Sequence, residues 1–191
     1  DTPTNNFATM NPLDNYYQSS TFSEGNCKIA TASSPSTPNL STIGVSSGKW
    51  YVEVKQGSGG SDSTIGVSST QQTGSQDKLG KYANDWGIYQ SNGNIINNDS
   101  ESTSYASSWS ANDIIGIYLD LDNNKLYFSE NGSLASTTGI SITAPASTPL
   151  GAYFFAVSDY WTAGTSSFEI NFGGCPAFSI SSGNADDNGY G

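Results

Sequence analysis

The run Trp109–Gly132 constrains the fold more than any other stretch of the chain. It reads W-S-A-N-D-I-I-G-I-Y-L-D-L-D-N-N-K-L-Y-F-S-E-N-G. Ile115, Ile117, Leu119 and Leu121 fall two apart, so on a strand they share one face. Leu126 and Phe128 do the same on a return strand, with Lys125, Tyr127 and Ser129 on the other face. Asp122-Asn123-Asn124 lie between the two runs, and these residue types tolerate positive φ and bond their own backbone. Asn131-Gly132 is a second turn signal at the end of the return strand. This pattern predicts a β-hairpin, and the rest of the chain reads as strands that pack on it.

The flanking segments carry the same period. Trp50, Val52 and Val54 alternate with Tyr51, Glu53 and Lys55, which predicts an apolar face that includes Trp50. Further strands are expected at 27–32, 64–67, 86–89, 94–97, 140–143, 150–157 and 168–172. The string T-I-G-V-S-S occurs at 42–47 and again at 64–69. Its flanks do not match and no third copy exists, so it marks two strands with similar local demands and not a solenoid. No segment shows a sustained apolar repeat of three to four residues. The 21 glycines favour turns over helices, and 12% aromatic residues offset a hydrophobic content of only 35%. About ten short strands without helices predict an all-β chain, two antiparallel sheets packed as a sandwich. Residues 1–40 read as an extended lead-in that lays Phe7, Met10, Leu13 and Tyr16 on the body. Residues 41–180 form the sandwich and 181–191 a tail or linker.

Charge restricts the partners. The net charge is -11, with six lysines, no arginine and no histidine. Nucleic acid and anionic membranes are poor partners for such a surface. Without histidine the commonest general base and transition-metal ligand are missing, and without arginine so is bidentate phosphate capture. The surface suits neutral partners such as sugars, or a polar protein face. No apolar run reaches the roughly 18 residues of a membrane span. Asp1 is not a start methionine and no signal peptide is visible, which reads as a processed chain or a fragment of a longer one. Cys27 and Cys175 are far apart and have no metal-ligand spacing. They are either a disulfide joining the first and last strands or two buried thiols.

Several constellations resemble sites of known chemistry. Asp120-x-Asp122-x-Asn124 resembles the start of a calcium loop, but Lys125 and Asn131 stand where an EF-hand needs Gly and Glu. Serine is abundant, yet there is no histidine to activate it and no G-x-S-x-G elbow. The stretch Gly57–Ser63 lacks the P-loop lysine. Glycoside hydrolysis needs two facing carboxylates, whereas Glu53 and Glu169 each stand alone on their strands. The expectation is therefore no catalytic residue, no metal and no cofactor. Aromatic residues divide into a core set, Trp50, Phe128, Tyr153 and Phe155, and a loop set, Tyr105, Trp109, Tyr160 and Trp161. The loop set comprises the candidate ligand contacts.

In order along the chain, six pieces resemble a SPRY domain. They are Gly48-Lys49-Trp50-Tyr51-Val52-Glu53-Val54; Ile65-Gly66-Val67; Trp86-Gly87-Ile88 with Gly93; the hairpin from Asp113 to Gly132; Tyr153 to Val157; and Asn171-Phe172-Gly173. The resemblance covers roughly 41 to 174. It implies a bent, concanavalin A-like β-sandwich (a jelly roll) and a non-catalytic interaction module with its partner on loops at one end. No adjoining PRY segment is visible. The lead-in F-A-T-M-N-P-L-D and the Ser/Thr/Asn/Gly-rich style resemble SPRY-bearing structural proteins of bacteriophages. The resemblance thus implies a binding or structural module on a virion surface. Such a module attaches to host-surface glycan or protein, or decorates the particle among other virion proteins. The alternatives are a cellular SPRY adaptor for a peptide and, behind it, a carbohydrate-active enzyme.

Overall fold

The computed structural model describes residues 6–14, 20–31, 38–57, 62–74, 77–103, 105–159, 165–174 and 177–179. Its strands are β1 (Thr21–Ser23), β2 (Lys28–Ala30), β3 (Asn39–Val45), β4 (Lys49–Gln56), β5 (Ser63–Ser68), β6 (Asp85–Tyr89) and β7 (Ile95–Asn97). They continue with β8 (Ser100–Glu101), β9 (Ile114–Asp120), β10 (Lys125–Glu130), β11 (Ser133–Leu134), β12 (Ile140–Ser141), β13 (Tyr153–Asp159) and β14 (Ser167–Asn171). One 3-10 turn at Pro145–Ser147 interrupts them, and no α-helix occurs among the described residues.

Two antiparallel sheets result, as the alternation predicted. One runs β1-β2-β14-β4-β9-β10-β11, with β12 also on β10; the other runs β3-β13-β5-β6-β7-β8. The hairpin β9–β10 pairs from Asp120↔Lys125 to Ile115↔Glu130. Its inward residues Ile115, Ile117, Leu119, Leu126 and Phe128 join Val52, Val54, Phe168 and Ile170 from the same sheet. Val45, Ile65, Val67, Ile88, Tyr153, Phe155 and Val157 meet them from the other. Burial of these side chains is the main force that holds the sheets face to face. Leu121 lies one residue past β9, within the turn, yet stays buried. Asn131 and Gly132 both have positive φ, 47° and 81°, and close β10–β11 in the two-residue turn that their identities signalled.

Four placements differ from the sequence expectation. Trp50 has inward parity but is 47% exposed, because it lies near the start of β4 and the core begins at Val52. Strand β1 was not anticipated; together with β2 it continues the larger sheet beyond β14. Within the lead-in, Met10 is buried and bridges to Ser41, whereas Leu13 is 95% exposed. Tyr16 lies outside the described residues. The polar stretch 70–84, which carries no strand signal, nevertheless holds buried residues: Leu79, Asp77 and Lys78. Leu79 packs with Leu40, Ala156 and Phe154 on the outer side of the smaller sheet.

The two T-I-G-V-S-S copies contribute to β3 and β5, the strands on either side of β13. In the second copy a Cβ built on Gly66 would fall 1.9 Å from the Trp86 carbonyl oxygen on the adjacent strand. That neighbour is backbone and cannot swing away. Gly66→Ala should therefore cost about 1–3 kcal/mol, the usual penalty of overpacking. Urea unfolding would show it, and an unchanged midpoint would contradict this close approach.

Candidate functional site

The segment 102–113 joins the two sheets at one end of the sandwich. Its start is held on the smaller sheet: the Ser102 N–H donates to the Ile95 carbonyl at 2.8 Å, and the Ala106 N–H to the Gly93 carbonyl at 3.1 Å. The Trp109 N–H and the Gln90 carbonyl bond at 3.3 Å, and the Gln90 side-chain amide returns to the Trp109 carbonyl at 3.3 Å. Its far end is held on the larger sheet. The Asn112 N–H donates to the Gln56 carbonyl at 2.7 Å, and the Gln56 N–H to the Asp113 carbonyl at 3.0 Å. The Asp113 carboxylate accepts from the Ser110 N–H at 2.7 Å and from the Asn131 amide at 2.8 Å. Its described part, 105–113, is tied at both ends in this way and is pre-formed, so little ordering entropy remains there to be lost on binding.

Beside this loop lies a cleft of about 760 Å³, bounded by the β6–β7 turn on one side and β10–β11 on the other. Phe128, Ile88 and Tyr105 contribute its apolar part, and Asn92, Asn94, Ser107 and Asn131 its polar walls. The Tyr105 ring meets Phe128 edge to face at 6.1 Å and 87°. The Glu101 carboxylate accepts from the Asn92 and Asn94 amides and fixes how those side chains present.

Two of the four candidate aromatic residues, Tyr105 and Trp109, line this one cleft. Tyr105 is half-buried, and burial raises its hydroxyl pKa, so it stays a neutral phenol. Trp109 is only 5% exposed and belongs to the core, with its indole N–H lacking a protein partner among the described residues. Tyr160 and Trp161 lie outside the described residues, as does Cys175; Cys27 is buried just before β2. The residue before the 160–164 segment, Asp159, is buried and bonded by the Thr31 hydroxyl, with Thr31 also bonded to the Ser166 N–H and carbonyl. Burial raises the Asp159 pKa. The sequence reading missed Asn92, Asn94 and Asn131 as cleft residues. Each sits in or beside a hairpin turn, where its type already had a local explanation.

The weighed carboxylates are all occupied by local partners. Glu169 on β14 takes Lys28 at 2.9 Å and Lys55 at 3.4 Å from the strands on either side. Burial pushes its pKa up, but these two ammoniums outweigh that and leave it below the usual range. Glu53 accepts from the Tyr51 hydroxyl at 2.9 Å and the Asn171 amide at 3.0 Å. In the Asp-rich turn, Asp120 caps the Asn123 N–H at 3.1 Å and Asp122 accepts from the Gly48 N–H at 3.0 Å. Among the described residues no three His, Cys, Asp or Glu converge as a metal-ligand set.

A two-sheet antiparallel sandwich that offers a pre-formed end cleft with aromatic and amide walls defines a binding scaffold. The family model of the SPRY domain matches residues 48–174, well over half of the chain, and the chain belongs to that family. SPRY domains are generally non-catalytic modules that bind protein partners. The structure is similar to the SPRY domain of human HERC1, with a TM-score of 0.66 and 18% identity over 90% of this chain and 99% of that one. At that identity the likeness shows the shared fold. No curated protein matches the chain in sequence.

Proposed function

We propose that this SPRY domain is a non-catalytic adhesion or decoration module on the surface of a virus particle, a bacteriophage, and that a protein partner seats in the end cleft. The cleft itself carries the reading. It offers the half-buried Tyr105 ring to an anchor side chain and asparagine walls to a peptide's donors and acceptors. The virion setting is supported by the lead-in and by the Ser/Thr/Asn/Gly-rich composition. The net charge of -11 fits a crowded, repeated surface that must stay soluble.

Ser107 and Ser133 are exposed and line the cleft, so large side chains there fill it without touching the core. Ser107→Trp with Ser133→Trp should lower adsorption of the labelled domain to host cells at least tenfold and leave its melting temperature within a few degrees. Protease treatment of the cells should abolish adsorption if the partner is protein. Immunogold labelling of purified particles tests the location. Unchanged adsorption by the double variant removes the cleft from the reading. The cellular adaptor uses the same cleft for a peptide, and a domain recovered only inside cells on one defined peptide would favour it.

A further inference from the structure

The outer face of the larger sheet carries a row of aromatic rings that the cleft does not use. Tyr51 on β4, Tyr118 on β9 and Tyr127 on β10 are direct cross-strand neighbours. Trp50 and Leu134 extend the patch at its margins, and Trp50, Tyr51 and Leu134 are 47%, 46% and 45% exposed. Together they line a shallow surface of about 530 Å³ with Lys49 and Asp120 at its rim. Three tyrosines grouped on one sheet face, with the exposed Trp50 and Leu134 at its margins, are more than scattered surface hydrophobes.

The rings lie along the sheet. The Tyr51 ring crosses to β9, where a Cβ on Gly116 would come within 3.0 Å of it, and its hydroxyl is tied to Glu53 at 2.9 Å. Tyr118 leans one strand over in the same sense, with its hydroxyl 3.3 Å from Ser129 on β10. The Tyr127 ring rests on Gly139, where a Cβ would come within 2.5 Å. Tyr51 and Tyr118 have centroids 4.5 Å apart at 37°. Trp50 is tethered by its indole N–H to the Ser47 carbonyl at 2.7 Å. Glycines under Tyr51 and Tyr127 and the bonded hydroxyls of Tyr51 and Tyr118 hold a platform, not a set of upright blades that would form slots.

We infer that this platform is a second binding site, for a neutral saccharide whose ring stacks on the Tyr51–Tyr118–Tyr127 row. A pyranose offers an apolar C–H face to the aromatic rings and hydroxyls at its edge to the rim. The rim supplies both signs: Lys49 and Asp120 lie 3.6 Å apart, and Lys125 and Glu53 share the same face by register. Paired charges match hydroxyl groups, which both donate and accept, and give no net attraction to an ionised ligand. The net charge of -11 further opposes an anionic polymer. A peptide strand cannot add here, because β4, β9 and β10 already have neighbours on both sides.

Affinity electrophoresis of the whole domain through gels containing mannan, β-glucan or galactan tests the inference, with heparin as the anionic control. At least one neutral polysaccharide should retard the protein. Tyr51→Ala with Tyr127→Ala should weaken that binding tenfold or more, whereas the cleft-filling Ser107→Trp should leave it unchanged. If the double variant fails to fold, Trp50→Ala at the exposed margin, away from the cleft, should still weaken it. Saturation-transfer NMR on the unaltered domain should place the strongest transfer on sugar C–H protons of one face. No retardation by any neutral polysaccharide, retardation by heparin alone, or retardation unaffected by the tyrosine and Trp50 variants overturns the inference. Loss through Ser107→Trp would also overturn it, by moving the sugar to the cleft.

Discussion

Phe128→Ala should destabilise the domain by about 3–5 kcal/mol, a large share of the roughly 5–15 kcal/mol that holds an ordinary domain folded. Phe128 is fully buried and lies in the centre of the hairpin, paired with Ile117. Its ring also supports Tyr105 edge to face, and its N–H points to the Tyr105 hydroxyl at 3.4 Å. Truncation thus opens a cavity between the sheets and removes the floor of the cleft together. Urea denaturation followed by tryptophan fluorescence should show a large drop in midpoint. Any folded fraction should bind the cleft's partner weakly. A loss below 1 kcal/mol would mean that the hairpin is not the structural centre its pattern indicates.

The second large effect is a pH dependence centred on Asp85. This residue opens β6 and is fully buried. It accepts from the Ser68 hydroxyl at 2.7 Å, the Gln72 amide at 2.7 Å and the Tyr82 N–H at 3.3 Å. Burial nevertheless dominates and pushes its pKa up to about 6, with the Asp77 carboxylate adding to the rise. Between the ordinary value near 4 and about 6, the folded protein holds a proton that the unfolded chain has lost. Stability therefore falls as pH rises through that window and levels off above it. At 1.36 kcal/mol per pKa unit the whole effect is on the order of 3 kcal/mol.

Between pH 5 and 7.5 about 1–1.5 kcal/mol of this should be visible, a range that stays above the isoelectric point near 4.1. Asp85→Asn should lack that component, and its Nδ2 can donate to the Gln72 carbonyl oxygen, which has no protein partner among the described residues. Asp159 acts in the same sense and remains in the variant. Asp77, Asp120 and Glu169 act in the opposite sense, because their lowered values remove stability only as pH falls below the ordinary carboxylate range. Parallel stability curves for the two proteins across pH 5–7.5 would contradict an Asp85 that resists ionisation.

Legibility followed the range of the interactions. The hairpin was readable because period 2 and turn chemistry are local. Asn131 and Gly132 adopt the positive φ their identities suggested. Trp50 was misread because alternation gives the direction of a side chain, not whether another layer covers it there. Trp109 was read as a loop aromatic; its loop folds back between Gln56 and Gln90, and the side chain joins the core. Leu79 gave no periodic signal at all, since a single apolar residue in a polar run has no pattern to belong to. As sequence, Glu53 and Glu169 were isolated carboxylates. Their partners Lys28, Lys55 and Asn171 come from other strands.

By itself the amino-acid sequence determined the all-β class, the two faces of each main strand, the hairpin turns and the SPRY order of motifs. These depend on residue type and on spacing within a few positions. Tertiary structure alone decided that Tyr105 and Trp109 line one cleft with Asn92, Asn94 and Asn131, and that Tyr51, Tyr118 and Tyr127 form one row. Those groupings depend on which strands become neighbours and where one sheet stops covering the other. Such contacts join residues tens of positions apart, and the packing of the whole sandwich selects them.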